Sequence, residues 1–296
     1  MDYFAIIKKA YQITLKHKFL WIFGIFAGGA AGLKSFNFGY STSGLEWQNH
    51  LSNLTNKSGG NFWEAYGTII LLICALISLL AIVVLILNII SQGALIGTVE
   101  KIAKNEKVDF HHGFATGTKN FWRVLGVSLI YLLMILASLV ILFIPVAVTI
   151  VGKMYVLAVI WGILIFFLDL AFWILIGLIC PFSFRVVILE KLGIWQSIRE
   201  SLHFFRDNWQ KVLVIYLLTF AIGIGFGIAL ILAMLIVGGL LLAIGFGVWL
   251  ASPLGTLVYG LLAGLTFAIL VMVISGGYNS FYSAILTLTY LELIKK

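Results

Sequence analysis

Residues 67–90 read GTIILLICALISLLAIVVLILNII, a run of 24 residues without a charged side chain. A run of about 20 apolar residues is long enough to cross the hydrocarbon core of a bilayer as a helix. A helix is favoured there because it satisfies all of its own backbone hydrogen bonds. The whole chain is 62% hydrophobic and only 10% charged, with a mean hydropathy of +1.13. The composition therefore predicts an all-α integral membrane protein rather than a soluble one.

Five further apolar runs are candidate membrane helices: residues 19–33, 124–151, 154–180, 212–250 and 254–275. The run at 212–250 has 39 residues, about twice what a bilayer requires. It can form one span followed by an outer segment at about 237–253, or two spans that meet near Gly238 and Gly239. Because glycine and proline disfavour a helix, we predict that 237–253 is not one straight helix.

The distribution of lysine and arginine decides the number of spans. With six spans and a cytoplasmic N-terminus, 16 of the 19 Lys and Arg residues fall on the cytoplasmic side, and only Lys34, Lys57 and Lys153 fall outside. Cytoplasmic loops of membrane proteins carry such an excess of cations. A seventh span would export the lysine pair at 295–296. We therefore predict six spans in the cell membrane, both termini in the cytoplasm, and the loop at 34–66 outside.

The net charge of +8 bears on the partners of the protein. A basic surface binds either nucleic-acid phosphates or anionic lipid headgroups. The cations here flank predicted membrane helices, and Arg185 is among them, in the predicted loop after residue 180. The expected partners are therefore the anionic headgroups of the bilayer and a possible membrane protein, and no nucleic acid. The oligomeric state is left open.

The chain is predicted to form one membrane domain, residues 1–296, in which a unit recurs at approximately 1–100, 101–190 and 191–296. Each unit consists of an amphipathic cytoplasmic helix, a span outward, an outer segment and a span back. The architecture predicted is thus three hairpin repeats with six transmembrane helices.

A short motif, here called the interface motif, marks the start of the outward spans. It reads NFWRVL at residues 120–125 and NWQKVL at 208–213, with a looser version, KFLW, at 18–21. Aromatic residues beside a cation are typical of the membrane interface. Just before 208–213, the spacing of Ile198, Leu202 and Phe205 predicts a surface helix over 193–210 that buries those three side chains.

Two stretches, EKLGIWQSIRES at residues 190–201 and LTLTYLEL at 286–293, resemble elements of a known group. The group comprises uncharacterised multi-pass prokaryotic membrane protein families related to the membrane domain fused to some glycerophosphodiester phosphodiesterases. In those families a Glu, a Gly and a Ser open a cytoplasmic helix, and a Tyr followed by an acid closes the domain. The resemblance implies five matching motif residues: Glu190, Gly193, Ser201, Tyr290 and Glu292. The catalytic domain of the phosphodiesterases has no counterpart in this chain, so its chemistry is not implied.

Asp169 is the only acidic residue within a predicted span and lies near its middle. A carboxylate at that depth is costly, so the side chain is expected to face protein or water rather than lipid. One interpretation is a protonatable or cation-coordinating group on a transport path. The other is a protonated, structural acid that is hydrogen-bonded to a neighbouring helix, for instance to Tyr131 or Tyr216. Asp169 is thus the candidate functional residue inside the membrane.

Glycines recur at four-residue spacing in three runs: Gly24, Gly28 and Gly32; Gly223 and Gly227; Gly260 and Gly264. Small residues at this spacing allow helix backbones to approach closely. We predict that these glycines pack helices against one another within the monomer.

Signals for catalysis or metal binding are sparse. The His111-His112 pair and the Glu200-x-x-His203 element are the only hints of a metal site, and a carboxylate-bridged di-iron bundle needs two such elements and two further acids. Nucleophile elbow, phosphate-binding loop and dinucleotide fingerprint are all missing from the sequence. We therefore predict no catalytic, cofactor-binding or metal-binding residues.

The leading functional hypothesis is a non-enzymatic integral membrane protein that acts as a scaffold or accessory factor through its cytoplasmic amphipathic helices. The alternative is a small-molecule or ion transporter that uses Asp169. A lipid-modifying enzyme comes third, because no catalytic constellation supports it. The sequence identifies no substrate.

Overall fold

The computed structural model describes residues 2–28 and 62–294 of the protein. This part of the chain contains eight helices and no strand, which confirms the all-α prediction. The helices are α1 (Tyr3–Lys16), α2 (Leu20–Ala27), α3 (Phe62–Ala103), α4 (Phe110–Lys119), α5 (Phe121–Val151), α6 (Tyr155–Leu189), α7 (Ile194–Ala251) and α8 (Pro253–Ile294). The predicted outer loop at 34–66 lies largely outside the described residues.

Five of these helices, α3, α5, α6, α7 and α8, are long and apolar enough to cross a membrane. The protein is therefore membrane-embedded. The described part of the first predicted span, residues 19–33, forms α2, whose eight residues are too few to cross a bilayer. The count of six spans and the threefold repeat stay predictions, because residues 29–61 lie outside the described part of the chain.

Helix α7 continues without interruption through the glycines of its far half. Gly238 and Gly239 are helical, and the chain reverses only at Ser252. The prediction that 237–253 is not one straight helix is therefore wrong up to Ala251, and the break comes only at Ser252. The alternative of two spans that meet at these glycines is also wrong. A glycine costs a helix only about 1 kcal/mol, and in lipid the backbone has no partner other than the helix itself. Pro253 occupies the first position of α8, where no intrahelical N–H is needed.

Buried side chains gather at one end of the bundle, which we call the base. The base consists of α1, α2, α4, the loops beside them, and the adjoining ends of the long helices with the loop between α6 and α7: residues 89–103, 120–131, 176–219 and 276–294. Its larger core cluster includes Leu20, Phe23, Phe182 and Tyr290. Most buried side chains of the long helices thus lie near this end, with a few more inside the two hairpins, such as Ile165 and Val271.

The rest of the long helices forms three arms: residues 66–88 of α3, residues 132–175 of the α5–α6 hairpin and residues 220–275 of the α7–α8 hairpin. Most large apolar side chains of the arms are exposed, as at Leu71, Val140 and Leu235. Exposed apolar surface of this extent is expected where helices contact lipid. The base is therefore the packed part of the protein and the arms are its lipid-facing part.

The interface motifs at 120–125 and 208–213 share one local geometry. Asn120 and Asn208 both have non-helical backbone angles, with φ of −98° and −121°. Each side-chain amide donates to the carbonyl oxygen four residues earlier, at 3.0 and 3.4 Å. The valines four residues later, Val124 and Val212, are fully buried. The motif thus marks a helix break that directs the chain into a long apolar helix.

The start of α7 packs through serines rather than through its large apolar side chains. Ser197 and Ser201 are fully buried, whereas Leu202 is 52% exposed and Ile198 and Phe205 are half-buried. The prediction that Leu202 is buried is therefore wrong. The reason is the close approach of α7 to α6, where Ser201 Oγ lies 2.5 Å from a serine Oγ of α6, because only small side chains fit at such a contact.

Helix α2 is held against α8 by contacts that only glycine permits. A Cβ at Gly24 would overlap the carbonyl oxygen of Gly276, and one at Gly28 would overlap the amide of Asn279. Ser280 Oγ donates to a carbonyl oxygen of α2 at 2.7 Å across the same contact. The predicted close packing is confirmed at Gly24 and Gly28.

The other glycine runs behave differently. Gly223 faces the phenol of Tyr278, but a Cβ at Gly227, Gly260 or Gly264 would meet no atom within 4 Å. These positions lie in the arms, where the helices separate, so the prediction of close packing is wrong for them. Gly32 lies outside the described residues.

Candidate functional site

A cavity of about 250 Å³ lies inside the base, beside the C-terminal end of α2. Parts of α2, α3, α6 and α8 form its walls. Its lining residues include Ala27, Gln92, Leu95, Phe184, Arg185 and Asn279, and we call it the Arg185 cavity. The end of α2 is fixed beside it because Asn88 Nδ2 donates to the last carbonyl oxygens of α2 at 2.7 and 3.1 Å.

Arg185 is the charged group of this cavity. It lies in the last turns of α6 and is only 3% exposed. Its Nη1 donates to the Pro181 carbonyl oxygen, and its Nη2 donates to that of Ser283 at 3.1 Å. Its Nε has no hydrogen-bond partner among the described residues. The ion pairs of the described residues do not include Arg185.

The prediction that Arg185 lies in a loop after the span is wrong. The sequence prediction ended the span at residue 180, where hydropathy falls, but α6 continues to Leu189. Val186, Val187 and Ile188, which follow Arg185, are buried. This apolar run after a single cation was the sequence signal for a helix that stays inside the protein.

The groups around Arg185 are neutral. Tyr282 lines the cavity, and Tyr216 OH donates to a carbonyl oxygen of α6 at 3.2 Å. The Gln92 and Asn279 amides donate to acceptors at 3.0 and 3.2 Å. A guanidinium stays protonated in proteins. The cavity therefore holds a positive charge that no carboxylate of the described residues balances.

The five motif residues of the family resemblance lie in the base. Tyr290 OH donates to Glu190 Oε1 at 2.5 Å, which joins the end of α6 to α8. Gly193 is the N-cap of α7, and Ser201 bonds to α6. Glu292 lines a separate cavity with residues of α1. Four of the five thus connect or cap helices, and their functional role stays a prediction.

A second, larger cavity of about 810 Å³ opens where the ends of α3 and α6 meet α4 and the start of α5. Its charged lining residues are Glu100, Lys101, Lys104, Glu106, Lys119, Arg123 and Lys191, and we call it the basic cleft. Lys104 Nζ lies 2.6 Å from Glu100 Oε1, and this hydrogen bond raises the pKa of Lys104. Because five cations face two acids, the cleft is a positively charged surface.

Asp169 lies in the α5–α6 arm, away from both cavities. Its Oδ1 is buried and has no hydrogen-bond partner among the described residues. Tyr131 OH instead contacts Ser183 Oγ at 2.7 Å, and Tyr216 bonds to the backbone. The structural interpretation in which either tyrosine holds Asp169 is therefore wrong.

The histidines considered as metal ligands have other neighbours. His112 Nε2 contacts Lys101 Nζ, and His203 Nε2 lies 3.4 Å from Asp207 Oδ2. Within residues 2–28 and 62–294, no three His, Cys, Asp or Glu side chains come together as a metal site.

Residues 18–292 match the model of DUF7544, described as a family of unknown function. No curated protein and no solved structure matches the chain. The relation to the membrane domain fused to glycerophosphodiester phosphodiesterases stays a prediction.

Proposed function

Because the chain belongs to the DUF7544 family, whose function is unknown, we propose its role from the geometry of the base: a non-enzymatic scaffold or accessory factor of the cell membrane. The observation that carries this proposal is the basic cleft, where cations from distant parts of the chain converge on one cavity of about 810 Å³. The proposed partner is an acidic segment of another membrane protein. Charge complementarity of this kind selects partners and speeds their association.

The proposal includes an orientation, with the base in the cytoplasm, six spans and both termini inside. Its support is the placement of the cations. Apart from Lys153, at the turn between α5 and α6, every Lys and Arg of the described residues lies at the base. Cytoplasmic segments carry the excess of cations in membrane proteins.

The orientation predicts a labelling pattern. In a variant without Cys74 and Cys180, a cysteine at Ser43 should react with a membrane-impermeant maleimide in intact cells. A cysteine added after Lys296 should react only after the cells are permeabilised. Reaction of the C-terminal cysteine in intact cells would show that the orientation is wrong.

The cleft is available for a partner because its cations are poorly compensated. Among the described ion pairs only Lys104 with Glu100 joins cleft residues. Lys119, Arg123 and Lys191 are exposed and are not part of those pairs. An acidic peptide in the cleft would gain charge-assisted hydrogen bonds from several cations at once.

A binding measurement tests the cleft. A fluorescein-labelled polyglutamate peptide should bind the purified protein at low salt and dissociate as salt is raised, because salt screens exposed charges. The double variant Lys119→Glu, Lys191→Glu should bind about tenfold more weakly, equivalent to about 1.4 kcal/mol. Fluorescence anisotropy measures both.

The matched control has the same change of net charge on another helix. Lys8→Glu with Lys16→Glu alters two exposed lysines of α1 outside the cleft, and peptide affinity should be unchanged. Equal weakening by both double variants would show that net charge alone attracts the peptide. Binding of phosphatidylglycerol vesicles in place of the peptide would identify the cleft as a headgroup site instead.

Transport through the membrane is the second candidate function, and one observation favours it. The buried Oδ1 of Asp169 lacks a partner among the described residues, and unpaired intramembrane acids occur on ion and proton pathways. Against it, neither the Arg185 cavity nor the basic cleft reaches this side chain.

A further inference from the structure

Arg185 is a buried cation without a counter-charge among the described residues. The side chain is 3% exposed, and its Nε has no partner among the described residues. Two backbone carbonyl oxygens accept from the guanidinium, but a carbonyl carries no net charge. Burial of an ion is costly unless an opposite charge compensates it.

We propose that the Arg185 cavity binds the acidic headgroup of an amphiphile, a phosphate or carboxylate carried on an apolar chain. The guanidinium is the side chain best suited to such a group, because its N–H donors match the geometry of an oxoanion. The neighbouring Tyr282, Gln92 and Asn279 are neutral polar groups that leave the positive charge intact.

The walls of the cavity fit the rest of such a molecule. Leu95, Ile96 and Phe184 supply apolar surface beside the guanidinium. The cavity volume of about 250 Å³ accommodates a headgroup and the first part of an apolar chain. Sites for small molecules commonly combine an apolar lining with a few oriented polar groups in this way.

This site is separate from the basic cleft. The two cavities share no lining residue, and the cleft consists of exposed cations whereas the Arg185 cavity has one buried cation. The cleft can therefore fail as a peptide site while the Arg185 cavity still binds its amphiphile, and the reverse also holds.

The test uses the full chain in phosphatidylcholine nanodiscs that contain phosphatidylglycerol. Native mass spectrometry should show one retained phosphatidylglycerol on the wild type, and Arg185→Gln should retain it about tenfold less, as expected for loss of the charged partner. Titrations with oleate and with inorganic phosphate distinguish the sources of the anion. Competition by oleate would identify a fatty acid as an alternative occupant, and inorganic phosphate should not compete.

Two further variants test the site without altering Arg185, in case Arg185→Gln folds poorly. Ala27→Leu places a larger apolar side chain in the cavity without changing Arg185, and should also reduce retention. Arg123→Gln removes the same charge from the basic cleft and should retain the lipid. Unchanged retention in both Arg185→Gln and Ala27→Leu, loss in Arg123→Gln alone, or equal competition by inorganic phosphate would overturn the proposal.

Discussion

Gly24→Ala, in the base, should lower the stability of the protein more than an alanine substitution at any glycine of the arms. The added Cβ would overlap the carbonyl oxygen of Gly276, which belongs to the α8 backbone and cannot rotate away. Helix α2 would have to move, and the bond from Ser280 Oγ to its carbonyl oxygen would break. Overpacking costs about 1–3 kcal/mol, and the lost hydrogen bond adds about 1 kcal/mol.

The matched control is Gly225→Ala in α7, where a Cβ would meet no atom within 4 Å. Because alanine is favoured over glycine in a helix, the free energy of unfolding of this variant should rise by up to about 1 kcal/mol. The free energy of unfolding in detergent and the yield of monodisperse protein measure both effects. A Gly24→Ala variant as stable as the wild type would mean that α2 does not pack on α8 as described.

Asp169→Leu is expected to stabilise the protein. A structural acid would leave its partner unsatisfied when removed, but Tyr131 and Tyr216 are bonded elsewhere. The substitution therefore removes a buried oxygen that has no partner among the described residues. It should raise the free energy of unfolding by about 1–3 kcal/mol. Thermal and denaturant unfolding in the same detergent measure the change.

Asp169→Asn is the control, because it keeps the size and polarity of the side chain and should change stability little.

The same variant separates the two candidate functions. In reconstituted vesicles, loss of a proton- or cation-coupled flux on Asp169→Asn would establish transport and defeat the scaffold proposal. A fall in the free energy of unfolding of more than about 1 kcal/mol, the value of one hydrogen bond, on Asp169→Leu would reveal a partner for the carboxyl group.

The apolar runs of the sequence place the long helices correctly because hydrocarbon selects for helix regardless of tertiary contacts. The runs at 67–90, 124–151 and 254–275 each lie inside one helix of the structure. The helix ends do not follow from hydropathy. In the base, helices continue past the apolar run as buried polar segments, as α6 does around Arg185.

The error at Leu202 has its cause in the close contact between α6 and α7. Where two helix backbones approach closely, only small side chains fit between them, so the larger apolar side chains of the same helix lie beside the contact. Ser197, Ser201 and Gly24 occupy such contacts. A stripe of large apolar residues therefore predicts the buried face less well here than in a soluble protein.

The contacts of the candidate site could not be predicted from the sequence, because the residues that form them are far apart along the chain. Arg185 bonds to the carbonyl oxygen of Ser283, 98 positions away. The family resemblance indicated both Glu190 and Tyr290 as motif residues. It did not indicate that these two residues, 100 positions apart, form a hydrogen bond. A single sequence contains no signal for such pairings.

The unequal lengths of the two hairpin arms bear on the thickness of the membrane that the protein occupies. Asn120 and Asn208 are matching starting points, and from them the helices run to Val151 in α5 and to Ala251 in α7. At 1.5 Å per residue, the α7 segment is therefore about 18 Å longer than the α5 segment. Both arms are apolar to their ends, where Val151 and Leu250 are exposed. One flat bilayer about 30 Å thick cannot cover both arms when they stand upright. The longer hairpin must therefore tilt, or the bilayer around it must thicken locally. The angle between the arms is then expected to change with the thickness of the bilayer.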